Sequence, residues 1–344
     1  MYMSSLPRWD FFWCRALLGL AIMLCVGCVP KRLDYYPTPP AAESRIYPSV
    51  KTEPPCQCST RYLSTNRFKR VLIVVLENKN YAEVIKNPYF RDLAQSGAHF
   101  TNFHGLVHPS YSNYMAMIAG TEVESHHDVQ QTYDICSIGD LLSAKETNLR
   151  WKNYAEGYPG TTTCFLEDRF VEAFVDDQKI DGQKTAYHYA RKHVPFLSLA
   201  SVQKNDCRNV VNAREFERDR LAGTLPEFAL FTPDMDNDAH DTDIPTAAKW
   251  LQGFLGPLQK DKAFWQETLT IVTFDESDTD DSPDGPNHIY TVFLGDMVKK
   301  SGADKGIAGN YNHYNVLRTI EENFGLCSLG SGDGGARPID NIWR

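Results

Sequence analysis

The chain has 344 residues, 42% of them hydrophobic and 23% charged, which is enough apolar material for a sizeable core and excludes a disordered or fibrous protein. Lysine and arginine number 35 against 44 acidic residues, so the formal charge is −9, and the basic footprint of a nucleic-acid-binding protein is missing. α/β proteins often spend about 250 residues or more on one domain, so the body of the chain is read as a single large domain.

Arg8 and Arg15 precede the apolar run Ala16 to Val26, which Gly27 and Cys28 close. That order predicts an export signal over residues 1–28, too short to span a bilayer comfortably. The Gly-Cys ending also fits a lipoprotein signal, with Cys28 lipidated and the protein attached to a membrane; an uncleaved anchor is the remaining alternative. In each case the body is exported: periplasmic, membrane-anchored or secreted. Residues 29–59 are proline-rich and lack periodicity, which predicts a semi-rigid linker, so the folded domain is expected over 60–344. Six of the nine cysteines lie outside the signal region: Cys56, Cys58, Cys136, Cys164, Cys207 and Cys327. In an exported protein their scattered spacing favours disulfides over a zinc ribbon and leaves the pairing open.

Along the body, the continuous apolar runs Val71–Leu76, Glu227–Thr232, Leu269–Phe274 and Ile289–Leu294 predict buried strands. Amphipathic stretches at Tyr114–Ala119, Gly139–Ala144, Thr246–Leu258 and Tyr314–Phe324 predict helices, the last stopped by Gly325. Alternating strands and helices imply a three-layer α/β/α sandwich around a mostly parallel sheet, with no internal repeat. Ligands of such sheets bind beyond the carboxyl ends of the strands. The first strand is followed there by Glu77-Asn78, the second by the acid and histidine run Asp234 to Asp241, and the third by Asp275-Glu276. Acids after one strand are commonly solvated, but several converging on one rim repel each other unless a hard divalent cation neutralises them. A calcium loop at 233–241 is the competing reading, and the glycine of an EF-hand is missing from it. His288 precedes the fourth strand and reaches the same crevice only if that strand is suitably oriented; otherwise it is structural. Pro109 and Ser110 sit where a helix begins, so Ser110 is either an N-cap or a hydroxyl placed beside the free N–H groups that bind phosphate.

These landmarks taken together resemble the phosphoesterase family of bacterial and fungal acid phosphatases and phospholipases C, a branch of the alkaline phosphatase superfamily. They are Glu77-Asn78-Lys79-Asn80-Tyr81, His108-Pro109-Ser110 through Gly120, Lys192-His193-Val194-Pro195, Asn237-Asp238-Ala239-His240-Asp241, Thr273-Phe274-Asp275-Glu276, Asn287-His288 and His313-Tyr314 through Gly325. The resemblance runs from about Val71 to Leu326 and implies an alkaline phosphatase-like fold. It also implies a divalent metal ion held by Glu77, Asn78, Ser110, Asp275 and Glu276. His108, Asp238, His240 and His288 then surround the phosphoryl group or hold a second cation, while Asn113 and His193 bind phosphate or substrate. Glu276 stands where the wider superfamily commonly has a histidine ligand, which favours one metal over a zinc pair. Ser112 occupies a position where relatives often carry proline.

On this resemblance Ser110 attacks the phosphorus of a small phosphate ester to give a phosphoseryl intermediate that water cleaves. His240 or His288 is the general acid and base. A phosphomonoesterase of the acid phosphatase kind is expected, since the extra C-terminal β domain of larger phospholipases C is missing from the sequence. A phospholipase C or other phosphodiesterase with the same site is the alternative, and a non-catalytic lipoprotein binding metal or phosphate is the reading from another class.

Overall fold

The computed structural model describes residue 56 and residues 61–123, 128–144, 146–160, 163–173, 186–279 and 285–344. The expected signal region 1–28, including Cys28, and the linker 29–59 apart from Cys56 lie outside the described residues. The strands are β1 (Arg70–Leu76), β2 (Ala98–Phe100), β3 (Phe103–His104), β4 (Trp151–Ala155), β5 (Arg169–Ala173), β6 (Ala186–Ala190), β7 (Val210–Asn212), β8 (Phe228–Thr232), β9 (Thr268–Phe274), β10 (Thr291–Leu294) and β11 (Tyr311–Asn312). The α-helices are α1 (Tyr81–Val84), α2 (Pro88–Ser96), α3 (Ser110–Ala119), α4 (Ile138–Ser143), α5 (Arg214–Ala222), α6 (Ile244–Lys260), α7 (Lys262–Glu267), α8 (His313–Phe324) and α9 (Gly332–Gly335).

An apolar run such as Val71–Leu76 offers water no polar face, so a strand made from it must be covered on both sides. β1, β8 and β9 are buried along almost their whole length and form the middle of a seven-stranded sheet ordered β2-β10-β9-β1-β8-β4-β7. The five strands from β9 to β7 run parallel. β10 runs antiparallel to β9, pairing Thr291 with Thr273, and β2 runs antiparallel to β10. This reversal puts the start of β10, and Asn287-His288 just before it, at the rim where β1 and β9 end. Outside this sheet β3 pairs with β11 and β5 with β6.

Side chains alternate across a sheet, so Phe228 and Phe231 on β8 face opposite layers. Phe228 and Trp151 pack on Phe196, with ring centroids 6.2 and 4.2 Å away, while Phe231 packs on Phe216 of α5 and Phe254 of α6 at 5.7 and 4.4 Å. The helices therefore sandwich the sheet, and α3 packs with α4 and α8. α8 begins with the Asn312/Asn315 capping box and ends at Gly325 in the left-handed conformation (φ 62°), where a side chain would be strained. Cys56 is bonded to Cys136 and Cys164 to Cys207, and Cys327 is also disulfide-bonded.

Candidate active site

β1 and β9 are paired in register up to Leu76 and Phe274, so the next residues, Glu77 and Asp275, leave the sheet side by side. The Asp275 N–H donates to the Leu76 carbonyl at 3.0 Å, and the Asn78 N–H donates to Asp275 Oδ1 at 3.2 Å. The loop after β8 joins the same rim, where its Asp238 carbonyl accepts the Glu77 N–H at 2.8 Å.

α3 brings the hydroxyl. Its N-cap is Pro109, so Ser110 is the first helical residue and its side chain does not cap the helix. Positions i, i+3 and i+4 share one helical face, and Ser110, Asn113 and Tyr114 all point at the carboxylates from it. Ser110 Oγ lies 3.1 Å from Glu276 Oε1, 3.2 Å from Glu77 Oε2 and 3.3 Å from Asn78 Oδ1. Tyr114 Oη donates to Glu77 Oε1 at 2.5 Å, and Asn113 Nδ2 donates to Glu276 Oε2 at 3.2 Å. His108 Nδ1 lies 2.9 Å from Glu276 Oε2. The rest of the Asn113 amide holds the loop before the helix: its oxygen accepts from the Leu106 and Val107 N–H groups, and its nitrogen also donates to the Val107 carbonyl. Ser112 points elsewhere and donates to the Val123 carbonyl at 2.7 Å.

The shell is rich in negative charge. Glu77, Asp238 and Asp275 are almost wholly buried. Burial and then the neighbouring carboxylates hold the Glu77 and Asp275 carboxyls well above the usual carboxylate range, and burial is the leading cause of the same rise at Asp238. A divalent cation fits these donors on two observations. Ser110 Oγ has two carboxyl oxygens, from Glu77 and Glu276, within 3.2 Å and only one proton to share with them. Asp275 Oδ2 is buried with no hydrogen-bond partner among the described residues. Oxygen-only donors suit a hard ion.

His193 and Asp238 adjoin this shell through Glu77, and the three offer ligand atoms within 4.8 Å of one another. The His193 ring stacks on Tyr114 and bridges two carboxylates, Nε2 lying 3.3 Å from Glu77 Oε1 and Nδ1 3.3 Å from Asp238 Oδ2. Burial, then the charge of Lys192, pushes its pKa well below the ordinary value. His240 is tied in through its backbone N–H, which donates to Asp238 Oδ1 at 2.7 Å. Its Nδ1 lies 2.8 Å from Asp241 Oδ1 and its Nε2 3.3 Å from Lys192 Nζ. Burial would lower the Lys192 pKa, but the carboxylates of Glu77 and Asp128 raise it by more, so the group stays an ammonium.

Glu77, Asn78, Ser110, Asp275, Glu276, His108 and Asn113 thus come together directly, and His193, Asp238 and His240 join them through Glu77 and Asp238. His288 reaches the same rim in a different setting, its ring stacked between Tyr81 and His104 with centroids 4.3 and 5.1 Å away. Tyr114 and Asp128 are site residues that sequence reasoning did not single out. The i+4 spacing of Tyr114 from Ser110 was a usable signal, whereas nothing in the local pattern marks Asp128.

This fold is that of the alkaline phosphatase superfamily. A solved member from Vibrio parahaemolyticus matches with a TM-score of 0.51 at 14% identity, covering 82% of this chain and 72% of that one. More narrowly, a family model described as the Phosphoesterase family matches residues 79–327, and the chain belongs to that family. A protein of Kluyveromyces lactis described as a probable acid phosphatase is 32% identical over 80% of this chain and 62% of its own length. The phosphatidylinositol-3-phosphatase of Mycobacterium tuberculosis is 31% identical over 80% of this chain and 83% of its own. The chain therefore spans about three fifths of the length of the fungal relative.

Proposed function

We propose that this chain is an exported, metal-dependent phosphoesterase that hydrolyses small phosphate monoesters, in the manner of an acid phosphatase, with Ser110 as nucleophile. The observation that carries this reading is the Ser110 hydroxyl at the start of α3, held 3.1 to 3.3 Å from Glu276, Glu77 and Asn78. Membership of the phosphoesterase family and the two named phosphatase relatives support it. A divalent cation held by Glu77, Asn78, Ser110, Asp275 and Glu276 would supply Lewis acidity and charge neutralisation at the reacting phosphoryl group. One such ion is the reading adopted, with His193 and Asp238 orienting Glu77 and His240.

The Ser110 hydroxyl gives up its proton to the carboxylate shell and attacks phosphorus in line. Phosphoserine forms and the alcohol departs with a proton from His240, which enters this step as the imidazolium. His240 then takes a proton from water, which attacks the phosphoserine and restores the hydroxyl with release of inorganic phosphate. His288 is the second candidate for this proton traffic. The N–H groups of the first turn of α3, which lack intrahelical acceptors, receive the equatorial phosphoryl oxygens. Export through residues 1–28, the linker 29–59 and, for an anchored form, lipidation of Cys28 belong to the same proposal. The disulfides are compatible with an oxidising compartment.

The test is turnover of p-nitrophenyl phosphate. Ser110→Ala is expected to lose it by a factor of about a thousand or more while keeping the wild-type circular dichroism, and Ser112→Ala is expected to retain it. Full activity in Ser110→Ala overturns the reading. Faster hydrolysis of bis-p-nitrophenyl phosphate than of the monoester replaces it with the phosphodiesterase alternative.

A further inference from the structure

Asp128 approaches the start of α3 and makes two contacts there. Its Oδ1 accepts the Tyr111 N–H at 3.2 Å, and its Oδ2 accepts from Lys192 Nζ at 2.9 Å. The Tyr111 N–H belongs to the first turn of a ten-residue helix, beside Ser110, and has no intrahelical acceptor. Lys192 Nζ is also 3.3 Å from His240 Nε2. The turn bearing Lys192 packs directly on α3. Two oxygens of one carboxylate, one on a helix N–H and one on an ammonium, reproduce an edge of a bound phosphoryl group. They lie between the candidate nucleophile and the candidate proton donor.

We propose that Asp128 is a built-in competitor for the phosphoryl site, and that Lys192 and the Tyr111 N–H hold the phosphoryl oxygens once Asp128 withdraws. This rests on the phosphoesterase reading and goes beyond it by naming what the phosphoryl group displaces and which groups then hold it. Asp128 carries one negative charge, as does a phosphodiester, so exchanging one for the other gains little Coulomb energy at Lys192. A phosphomonoester is a dianion near neutral pH and wins the exchange. The side chain of Asp128 is 23% exposed and that of Lys192 12%, so of the two the carboxylate is the one freer to leave. Glu77 also acts on the Lys192 ammonium, but from within the nucleophile's own shell, where it cannot be exchanged for substrate.

The experiment measures KM and kcat for p-nitrophenyl phosphate and bis-p-nitrophenyl phosphate, and the inhibition constant of inorganic phosphate, on the metal-loaded enzyme. In Asp128→Asn the KM for both esters and the phosphate inhibition constant are expected to fall about threefold or more, by a similar factor for each. In Lys192→Met both constants are expected to rise about tenfold or more, with Lys192→Arg in between. Melting curves establish that each variant is folded, and the conservative Asp128→Asn and Lys192→Arg changes keep the test open if Lys192→Met is not. An unchanged or raised KM in Asp128→Asn overturns the proposal, as does an unchanged inhibition constant in either Lys192 variant. Both results would come from an enzyme that still turns over the monoester through Ser110. Wild-type enzyme without turnover, or active Ser110→Ala, is the separate failure of the phosphoesterase reading.

Discussion

Ser110 and Ser112 are two residues apart on α3 and so face different directions, one into the carboxylate shell and one to the Val123 carbonyl. Chemically identical side chains are sorted here by helical phase alone. Asn113 shows the opposite case. Its residue type and neighbourhood fit a phosphate contact, yet its amide holds Leu106, Val107 and Glu276. Asn113→Ala leaves those groups, part-buried in the loop and buried at Glu276, without this partner, at a cost of up to about 1 to 3 kcal/mol each where desolvation is complete. The expected result is a melting temperature lower by several degrees and a kcat/KM for p-nitrophenyl phosphate at least about tenfold lower, carried mainly by kcat, because Glu276 and the His108 loop lose their support. A folded Asn113→Ala enzyme with wild-type kcat would show that Asn113 does not position Glu276. Glu77, Asp275 and Glu276 were readable as site residues because each comes just after a buried strand at one rim. Asp128 was not, since its role exists only where its loop meets the first turn of α3.

At the scale of the element, α8 carries a liability of its own. Glu321 is fully buried in it, with the Leu329 backbone and the Asp333 carboxyl as its polar neighbours. Burial, with a further contribution from Asp333, pushes its pKa up to about 9. A folded-state pKa above the unfolded value means that the folded state holds the extra proton. Stability from this group is therefore complete below the ordinary carboxylate pKa and is lost as pH rises toward 9. Between pH 5 and pH 8.5 the linkage amounts to roughly 4 kcal/mol. Glu321→Gln is expected to melt higher than wild type at pH 8.5 and to flatten the pH dependence of urea unfolding over that interval; parallel pH profiles for the two proteins would refute this. The helix itself was legible, since Tyr314–Phe324 has the right periodicity and Gly325 stops it. β4 was less so, because Lys152 and Asn153 interrupt its apolar character; the buried Asn153 amide donates to the Leu230 carbonyl at 3.3 Å, while its oxygen has no hydrogen-bond partner among the described residues.

For the molecule as a whole, the buried carboxylates Glu77, Asp238 and Asp275 set stability against function. They come from three different strand ends, and their mutual repulsion is relieved by protons or by a cation. A ligand that binds only the folded state stabilises it by about 2.7 kcal/mol at a hundred times its dissociation constant, worth roughly 4 °C in a chain of this size. Chelation is therefore expected to abolish p-nitrophenyl phosphate turnover and lower the melting temperature by that amount, with both restored by adding back a divalent cation. A sample shown by elemental analysis to be metal-free, yet still active and equally stable, would refute metal dependence.

The sequence by itself determined the layered α/β architecture, the strands of the sheet's centre and the acids at their carboxyl ends, because unbroken apolar runs must be buried and the residues next in the chain must emerge at the sheet's rim. Tertiary structure decided which way β10 runs, how α3 turns Ser110 and Tyr114 toward Glu77, and where Asp128 meets Lys192. These depend on strand direction, helical phase and the meeting of segments far apart along the chain, and local composition carries no information about any of them.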